Sequence, residues 1–505
     1  MSPAGAGGRR GNRPYEGRRR PDQPPVGRGV TRSRQVAFEV LRAVDDDDAY
    51  ANLLLPHRIA AARLAPSDAG LATELTYGTL RRRGTYDAII AEASGRDVRD
   101  IDPPILDVLR LGTHQLLSMR TPSHAAVNES VEQAARIASR GASGFVNAVL
   151  RKISRTELDA WLDEITAGMS DERALAVRHS HPDWIVRALR DSLAAEDRAD
   201  ELEASLSADN DSPAVSIVSL PGFDSPARLV ESNPELLEPG RVSPRGLTLA
   251  SGDPSWVPQV KAGRARVQDE GSQLVTLALL DAKPVAPGER WLDMCAGPGG
   301  KAALLAASAT DLQAKLTANE LVPARAGLVR SALAPLAAPV TVTNEDGRAF
   351  AETHPGSFDR VLLDAPCTGL GALRRRPEAR WRKQSSDVSE LVELQEQLLE
   401  AALVAVKPGG IVAYVTCSPH QAETTAVVRR AVRLSGAQVL DAASIVARVS
   451  SASDLDLGHR PLGDGTLVQL WPHRHGTDAM FLALLRRPPE SDQARQDAAT
   501  RRIAP

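Results

Sequence analysis

The chain has 505 residues, an apolar content of 42% and a formal net charge of −3, which gives room for about two to four domains and argues against a protein that coats nucleic acid with its whole surface. Three cysteines, none of them in a CxxC pair, exclude a disulfide framework and argue against a zinc site. Neither a membrane-spanning apolar stretch nor a signal-peptide pattern is found, which predicts a cytoplasmic protein.

The chain opens with a basic tail, residues 1–33. Residues 1–32 contain eight arginines against Glu16 and Asp22, a charge of +6. Glycine and proline are frequent and apolar periodicity is lacking, so we expect the tail to be disordered. It is either a solvated segment without a specific role or a tether that neutralises RNA phosphates.

Helical patterns follow the tail. Residues 34–155 contain runs such as "RQVAFEVLRAV" and "HAAVNESVEQAARIAS", with apolar residues spaced by three and four positions. This predicts an all-α domain. Residues 156–267 continue as helix and change near 213 to short β-prone runs, "AVSIVSL" and "GLTLA", which predicts a helical linker and a small α/β subdomain.

Strands and helices alternate in residues 268–486. Strand-like runs occur at 290–295, 316–319, 340–343, 359–364, 410–416 and 480–485. This alternation predicts a mostly parallel, doubly wound sheet. The runs "TLVQLWP" and "AMFLALLRR" are too close together for a crossover helix, so we expect them to pair antiparallel. Residues 487–505 form a polar tail.

A glycine-rich turn follows the first strand of this region, in "LDMCAGPGGK". It is not a P-loop, because Cys295 and Ala302 occupy positions that the GxxxxGK[ST] pattern gives to Gly and Ser/Thr. The dinucleotide pattern GxGxxG also fails, since 297–302 reads G-P-G-G-K-A. In a doubly wound sheet, ligands bind beyond the carboxyl ends of the strands, so we expect the turn to contact a ligand through its backbone amides.

Acidic residues stand at the ends of four successive predicted strands: Asp293, Glu320, Asp346 and Asp364. Each alone is more often a helix N-cap or a turn residue, but together they form an acidic rim around the turn. Glu320 lies 20 residues beyond Gly300, a spacing that suits an acid binding ribose hydroxyls. The rim would repel a pyrophosphate and suit a cationic sulfonium, so the ligand is S-adenosylmethionine rather than NAD.

Two cysteines indicate the chemistry. Cys367 follows the fourth strand in "DAPC" and Cys417 ends the fifth in "VTCS", and we expect these strands to be neighbours. A thiol that adds to carbon 6 of a pyrimidine makes carbon 5 nucleophilic toward a methyl donor. Asp364 is placed to polarise the cytosine ring. Spacing alone leaves open which cysteine attacks, whereas Cys295 is best explained as a packed thiol.

The motifs "QDEGSQL", "LDMCAGPGGK", "DGR", "LLDAPCTGLGALRRRPEARW" and "YVTCS" occur in this order, and with them the chain resembles the RNA cytosine-5 methyltransferases of the NOL1/NOP2/Sun family. "ELTYGTLRRR" and "FVNAVLRK" are similar to a NusB domain. The resemblance covers about residues 34–486. It implies an all-α NusB-like domain, the small α/β subdomain, and a C-terminal Rossmann-like class I methyltransferase domain with a seven-stranded, mostly parallel sheet.

The resemblance also implies roles for individual residues. Cys417 would be the nucleophile, Cys367 would assist product release, and Asp364 would complete the catalytic set. DNA cytosine-5 methyltransferases use the cysteine of the PC motif instead. The residues implied to contact S-adenosylmethionine or its surroundings are Cys295, Ala296, Gly297, Pro298, Gly299, Gly300, Lys301, Glu320, Asp346 and Asp364.

A basic cluster follows Cys367 and contains Arg374, Arg375, Arg376, Arg380, Arg382 and Lys383, with Trp381 among them. It is either a solvated charged surface or, as its place beside the cleft favours, a set of phosphate contacts with an aromatic for base stacking.

The leading hypothesis is methylation of a cytosine in 16S ribosomal RNA, by a monomer that needs neither a metal ion nor a membrane. One alternative is a transfer RNA cytosine-5 methyltransferase. The other is a NusB-like RNA-binding factor whose catalytic domain is vestigial.

Overall fold

A computed structural model of the chain describes residues 29–336 and 338–489. Residues 1–28, which are most of the predicted basic tail, lie outside the described residues, as does the polar tail from residue 490. The predictions made for these segments stay predictions. Within the described part, no helix combines the length and apolar character needed to cross a membrane.

The N-terminal part is a helical domain, as the apolar periodicity predicts. Its helices are α1 (Arg32–Asp46), α2 (Ala51–Ala62), α3 (Pro66–Arg81), α4 (Arg83–Ser94), α5 (Pro103–Leu117), α6 (Ser123–Ile137) and α7 (Arg140–Ile153). Helix α5 lies at the centre, since it is buried from Ile105 to Gln115. The apolar faces of the other helices close around it through Leu75, Ile89 and Leu150, which are fully buried.

A second helical stretch leads to a small sheet. Its elements are α8 (Leu158–Thr166), α9 (Asp171–Arg178), α10 (Asp183–Ala194), α11 (Leu202–Ala208), β1 (Ser216–Ser219), α12 (Pro226–Ser232), β2 (Leu237–Pro239), β3 (Gly246–Leu249), α13 (Pro258–Lys261) and β4 (Ala265–Val267). The strands are ordered β2-β3-β1-β4, and all neighbours are antiparallel. This agrees with the predicted mixture of helix and short strands.

The C-terminal part contains the large sheet. Its first elements are α14 (Glu270–Asp281), β5 (Arg290–Asp293), α15 (Gly300–Asp311), β6 (Lys315–Asn319), α16 (Pro323–Leu333), β7 (Val340–Thr343), α17 (Gly347–Thr353), β8 (Phe358–Asp364), α18 (Ala379–Arg382), α19 (Asp387–Ala405) and β9 (Val406–Thr416). It continues with α20 (Thr425–Ser435), β10 (Gln438–Val439), α21 (Ala442–Val449), β11 (Pro461–Leu462), β12 (Gly465–Thr466), β13 (Val468–Gln469), α22 (Pro472–His475) and β14 (Phe481–Arg486).

The strand order of the large sheet is β7-β6-β5-β8-β9-β14-β10. The first five strands are parallel, and β14 runs antiparallel to β9, so the prediction of a mostly parallel sheet is confirmed. The sheet has eight strands rather than the seven implied by the resemblance, because β10 and β13 pair with opposite ends of β14. The chain crosses from one half of the sheet to the other between β7 and β8, which makes the β5/β8 boundary a ligand-binding position.

Candidate active site

The glycine turn joins β5 to α15 at the carboxyl edge of the sheet. Gly297 and Gly299 have φ values of 56° and 93°, in the left-handed region that glycine adopts without strain. A Cβ atom at Gly299 would lie 2.9 Å from the Ala332 side chain, so helix α16 also requires glycine there. The turn brings Cys295, Ala296, Pro298, Gly300 and Lys301 to the same edge as the ends of β6 and β8.

The acids Asp293 and Glu320 lie beside this turn, and both are buried. Glu320 accepts hydrogen bonds from the backbone N–H groups of Gly297 and Val322, each at 2.9 Å. Neither carboxylate oxygen of Asp293 accepts a hydrogen bond of ordinary geometry from the described residues. Burial, with the nearby charge of Asp364, raises the pKa of Asp293 to about 8. Asp293 is thus a buried carboxyl group that makes no salt bridge with the described residues and interacts with the backbone N–H of Cys295.

Asp346 is placed differently from the other three acids. It stands three residues beyond the end of β7 and caps helix α17, where its carboxylate accepts from the backbone N–H of Arg348 at 2.9 Å. Its bond with the Arg348 side chain lowers the pKa of Asp346. The predicted acidic rim therefore consists of Asp293, Glu320 and Asp364, with Asp346 as a helix cap at its border.

Cys367 and Cys417 face each other across the ends of β8 and β9. These strands are parallel neighbours, and Asp364 pairs in register with Val415. The two Sγ atoms are 3.5 Å apart, and both cysteines are half-buried. The prediction that the two strands are adjacent is therefore confirmed, and both thiols lie within reach of one small planar ligand. Burial raises the pKa of Cys295, which favours its neutral thiol.

Lys301 and Asp364 form an ion pair next to the thiols, with 2.7 Å between Nζ and Oδ2. Burial alone would lower the pKa of Lys301, but the charge and hydrogen bond of Asp364, with a smaller effect of Cys417, raise it. This pairing was not foreseen from the sequence, since the partners are 63 residues apart.

A layer of polar residues behind the thiols was also missed by sequence analysis. Thr368 and Ser418, each next to a cysteine, converge on the carboxylate of Glu423. Ser418 belongs to the quoted "VTCS" motif. The role of Glu423 could not be predicted from its neighbours in the sequence, because acidic residues are common near the start of a helix.

The basic cluster after Cys367 is the arginine segment, residues 374–383, and the structure corrects part of its prediction. Arg374 and Arg380 are buried, so their guanidinium groups are not accessible to phosphates. Arg374 bonds Asp478 at 3.1 Å, and Arg380 bonds the backbone oxygens of Arg81 and Asp209 at 2.9 and 2.6 Å. Arg375 is likewise paired, with Asp478 and Asp269.

The other residues of the arginine segment fall into two groups, those that contact the protein and those that are accessible to solvent. Arg382 donates to the backbone oxygen of Val44 at 2.9 Å, and the indole of the half-buried Trp381 lies against Gly84, so base stacking by this ring stays a prediction. Arg376 is exposed and Lys383 half-buried. These two remain available to RNA.

The parallel sheet carries a glycine turn, an acidic rim and two facing cysteines at its carboxyl edge, and it is joined to a helical domain. These features define a class I methyltransferase with an added N-terminal domain. The family profile of 16S rRNA methyltransferase RsmB/F matches residues 279–486, and that of the NusB family matches residues 31–155.

A putative methyltransferase of Mycobacterium tuberculosis is 47% identical over 93% of this chain and 98% of the relative. The ribosomal RNA small subunit methyltransferase B of Pseudomonas putida is 32% identical over 81% of this chain and 91% of the relative. The chain belongs to the RsmB/F family of ribosomal RNA methyltransferases, whose methyl donor is S-adenosylmethionine.

Solved structures agree on the fold. The crystal structure of PH0851 has a TM-score of 0.73 at 22% identity and covers 90% of this chain and 98% of its own. A methyltransferase homolog from Pyrococcus horikoshii has a TM-score of 0.51 at 24% identity and covers 63% of this chain and 100% of its own. The first of these spans both the helical and the sheet-containing parts.

Proposed function

We propose that this chain methylates carbon 5 of a cytosine in 16S ribosomal RNA through a covalent bond between Cys417 and the base. The observation that carries the proposal is the pair of thiols 3.5 Å apart at the ends of neighbouring strands, beside the Lys301–Asp364 pair. A direct methyl transfer to an oxygen or nitrogen needs no thiol, because the lone pair of that atom attacks the methyl group. Two thiols facing one ligand suit a carbon that must first be activated and then freed of a proton.

The residues around the glycine turn fit S-adenosylmethionine. Asp293 is a buried carboxyl group that accepts no hydrogen bond of ordinary geometry from the described residues, so a cationic amino group would donate to it and a sulfonium would supply a compensating charge. Glu320 borders the turn and suits ribose hydroxyls, and the turn residues Cys295 to Lys301 would line the remainder. When bound, the cofactor supplies an electrophilic methyl group.

The protein groups then have defined tasks. The Cys417 thiolate forms a bond to carbon 6, and the electron pair of the carbon 5–carbon 6 double bond becomes available at carbon 5 for the methyl group. Asp364, held by Lys301, accepts a hydrogen bond from the amino group at the cytosine edge, and the Lys301 cation beside it stabilises the negative charge that develops on the ring. Cys367 assists removal of the carbon 5 proton, after which the double bond re-forms and the bond from carbon 6 to the Cys417 sulfur breaks.

Substitution of each cysteine tests the proposal. Cys417→Ala should abolish methylation and leave the Kd for S-adenosylmethionine within a few-fold, because the thiol acts on the base. Cys367→Ala should methylate without release and accumulate a covalent RNA–protein band in denaturing gels. If Cys417→Ala traps the RNA instead, the roles of the two cysteines are reversed. If neither variant traps RNA and both methylate normally, the covalent mechanism is wrong.

The substrate is tested separately. Bisulfite sequencing of RNA from a deletion strain should show one 16S cytosine that loses its methyl group and regains it on complementation. Loss confined to a transfer RNA would favour that alternative substrate. No loss in any RNA, with no methyl transfer in vitro, would leave an RNA-binding factor with a vestigial catalytic domain.

A further inference from the structure

Glu423 joins the two loops that carry the catalytic thiols. It lies in a short turn before α20, and its side chain is fully buried. Its Oε1 atom accepts the backbone N–H of Thr368 at 2.8 Å, and its Oε2 atom accepts the hydroxyls of Thr368 and Ser418 at 2.5 and 2.6 Å. Thr368 follows Cys367 and Ser418 follows Cys417. One carboxylate therefore holds the neighbour of each thiol.

The same carboxylate is anchored to the scaffold. Gln395 of α19 donates to it at 3.1 Å and also donates to the backbone oxygen of Pro366 at 2.8 Å, just before Cys367. The Tyr414 hydroxyl of β9 donates to the backbone oxygen of Glu423 at 2.7 Å. The loops are thus fixed to the sheet and to α19 as well as to each other.

All the donors to this carboxylate are uncharged. A buried carboxylate is costly unless hydrogen bonds replace its water, and an apolar residue would fill the space at lower cost. Other buried acids of this chain are stabilised by cations: Glu196, for example, pairs with Arg460 and Arg474. Glu423 has no such partner among the described residues. What these hydrogen bonds do determine is the position of the two cysteine loops relative to each other.

The charge has a second effect on one of the thiols. The hydrogen bond with Cys417 and then burial raise the pKa of Cys367 well above its usual value, and the negative charge of Glu423 adds to the rise. Cys367 is therefore a neutral thiol while Cys417 is free, which suits a group that is not the attacking nucleophile, and bonding of Cys417 to carbon 6 removes the hydrogen bond that raises the pKa most before Cys367 assists proton removal.

We propose that Glu423 is a positioning residue that holds the Cys367 and Cys417 loops in register, so that both thiols reach the same base. This inference rests on the proposed cytosine-5 chemistry. Without Glu423, the loops keep the bond from the Gly371 N–H to the Cys417 backbone oxygen at 2.9 Å and the Thr368–Ser418 hydroxyl contact at 3.2 Å, but they lose the carboxylate that fixes both thiol neighbours to one point. Cys417 still adds to carbon 6, whereas Cys367 no longer lies beside carbon 5, so the release step is slowed more than the attack.

The experiment compares Glu423→Ala with Glu423→Gln. Glutamine keeps the length of the side chain and accepts the Thr368 N–H, and its amide donates to the hydroxyls, which then act as acceptors. Glu270→Gln is the matched control, because Glu270 is also a buried carboxylate held by uncharged donors, the backbone N–H groups of Arg241, Val242 and Ser243. Each variant is tested for its unfolding free energy, its Kd for S-adenosylmethionine, its single-turnover methylation rate and its covalent RNA band.

Glu423→Ala should accumulate the covalent band and release product at least about tenfold more slowly, with an unchanged Kd for the cofactor. Glu423→Gln should restore most of the release rate. Glu270→Gln should lose stability without accumulating the band. The proposal is overturned if Glu423→Ala lowers attack and release equally and shows no band, or if the alanine and glutamine variants behave alike.

A second readout does not depend on RNA. Diamide oxidises two adjacent thiols to a disulfide and is itself reduced, so the rate at which it links Cys367 to Cys417 reports their proximity. Glu423→Ala should slow this linkage about tenfold relative to wild type and Glu423→Gln. If Cys367→Ala forms no RNA adduct but this difference is found, the proposed function fails and the positioning role stands. Equal linkage rates in all three proteins overturn the positioning role.

Discussion

At the scale of single residues, Asp293 should couple cofactor binding to pH. Burial and Asp364 raise the pKa of Asp293 to about 8, so the free protein holds a proton on this carboxyl group at pH 7. A cationic ligand group beside it lowers that pKa, and binding then releases the proton. The affinity should therefore fall as the pH drops below 8, by up to about tenfold per pH unit. Calorimetry at pH 7 in two buffers of different ionisation enthalpy measures the released proton.

The Asp293→Asn variant provides the control for this linkage. It retains the size of the side chain and cannot release a proton, so its binding heat should be the same in both buffers. Equal heats for the wild type would show that Asp293 stays protonated when the cofactor binds.

The site residues that could be predicted from the sequence are those with local patterns. The glycine turn is marked by its composition, and the cysteines by their places at strand ends, so the facing thiols follow from strand adjacency. The Lys301–Asp364 pair and the bonds of Glu423 depend on side-chain directions between distant segments, which spacing does not encode. The arginine segment was misjudged for the same reason, since charge alone does not distinguish a solvated arginine from one buried against carbonyl oxygens.

At the scale of elements, Arg360 holds helix α14 against the sheet. This arginine of β8 is fully buried, pairs with Glu289 at 2.8 Å, and donates to the backbone oxygens of Leu279 and Lys283, each at 2.8 Å. It thereby satisfies the Leu279 carbonyl in the last turn of α14, which has no partner within the helix, and the Lys283 carbonyl just beyond it. Arg360→Met should lower the unfolding free energy by about 3–5 kcal/mol, because the buried Glu289 charge loses its closest cationic partner and keeps only the Trp291 N–H at 2.8 Å and the more distant Lys283 at 3.9 Å among its side-chain partners in the described residues.

Chemical denaturation measures this loss. Arg290→Met is the matched control, because Arg290 also lies in a strand of the sheet but is exposed, and it should change stability by less than about 1 kcal/mol. Similar losses for the two variants would contradict the role assigned to Arg360.

The elements themselves were largely predictable, because their signals are periodic. The first predicted strand of the large sheet overlaps β5, and the predicted range 340–343 coincides with β7. Strand β9 begins at Val406, four residues before its predicted start, since Pro408 and the glycines after it indicate a turn rather than a strand. Strand β10 has two residues and no detectable pattern, and only its pairing with β14 defines it.

At the scale of the whole molecule, the arginine segment connects the loop of Cys367 to the NusB domain. It begins seven residues after Cys367 and contacts helices of the N-terminal part through Arg380, Arg382 and Glu378. The Glu378 carboxylate accepts the backbone N–H of Ala51, at the start of α2. The loop that carries Cys367 therefore continues directly into the surface against which the helical domain packs, and these contacts fix the position of that domain relative to the cleft.

Arg380 should consequently be more important for domain docking than for RNA contact. Arg380→Met leaves the backbone oxygens of Arg81, Ser180 and Asp209 without their donor, at a cost of about 1–3 kcal/mol for each buried group that stays unsatisfied. We expect calorimetry to resolve separate unfolding of the helical and sheet-containing parts, where the wild type unfolds in one transition. The salt dependence of RNA binding should keep its slope, because no phosphate contact is lost.

Arg376→Met is the matched control for this prediction and should behave in the opposite way. Arg376 belongs to the same segment but is exposed, with its guanidinium 5.6 Å from the Tyr50 ring centre, so its loss should hardly affect unfolding. If it contacts a phosphate, the log–log slope of affinity against salt should fall by about 0.7–0.9. A reduced slope for Arg380→Met with a single unchanged unfolding transition would return Arg380 to the RNA surface and refute its docking role.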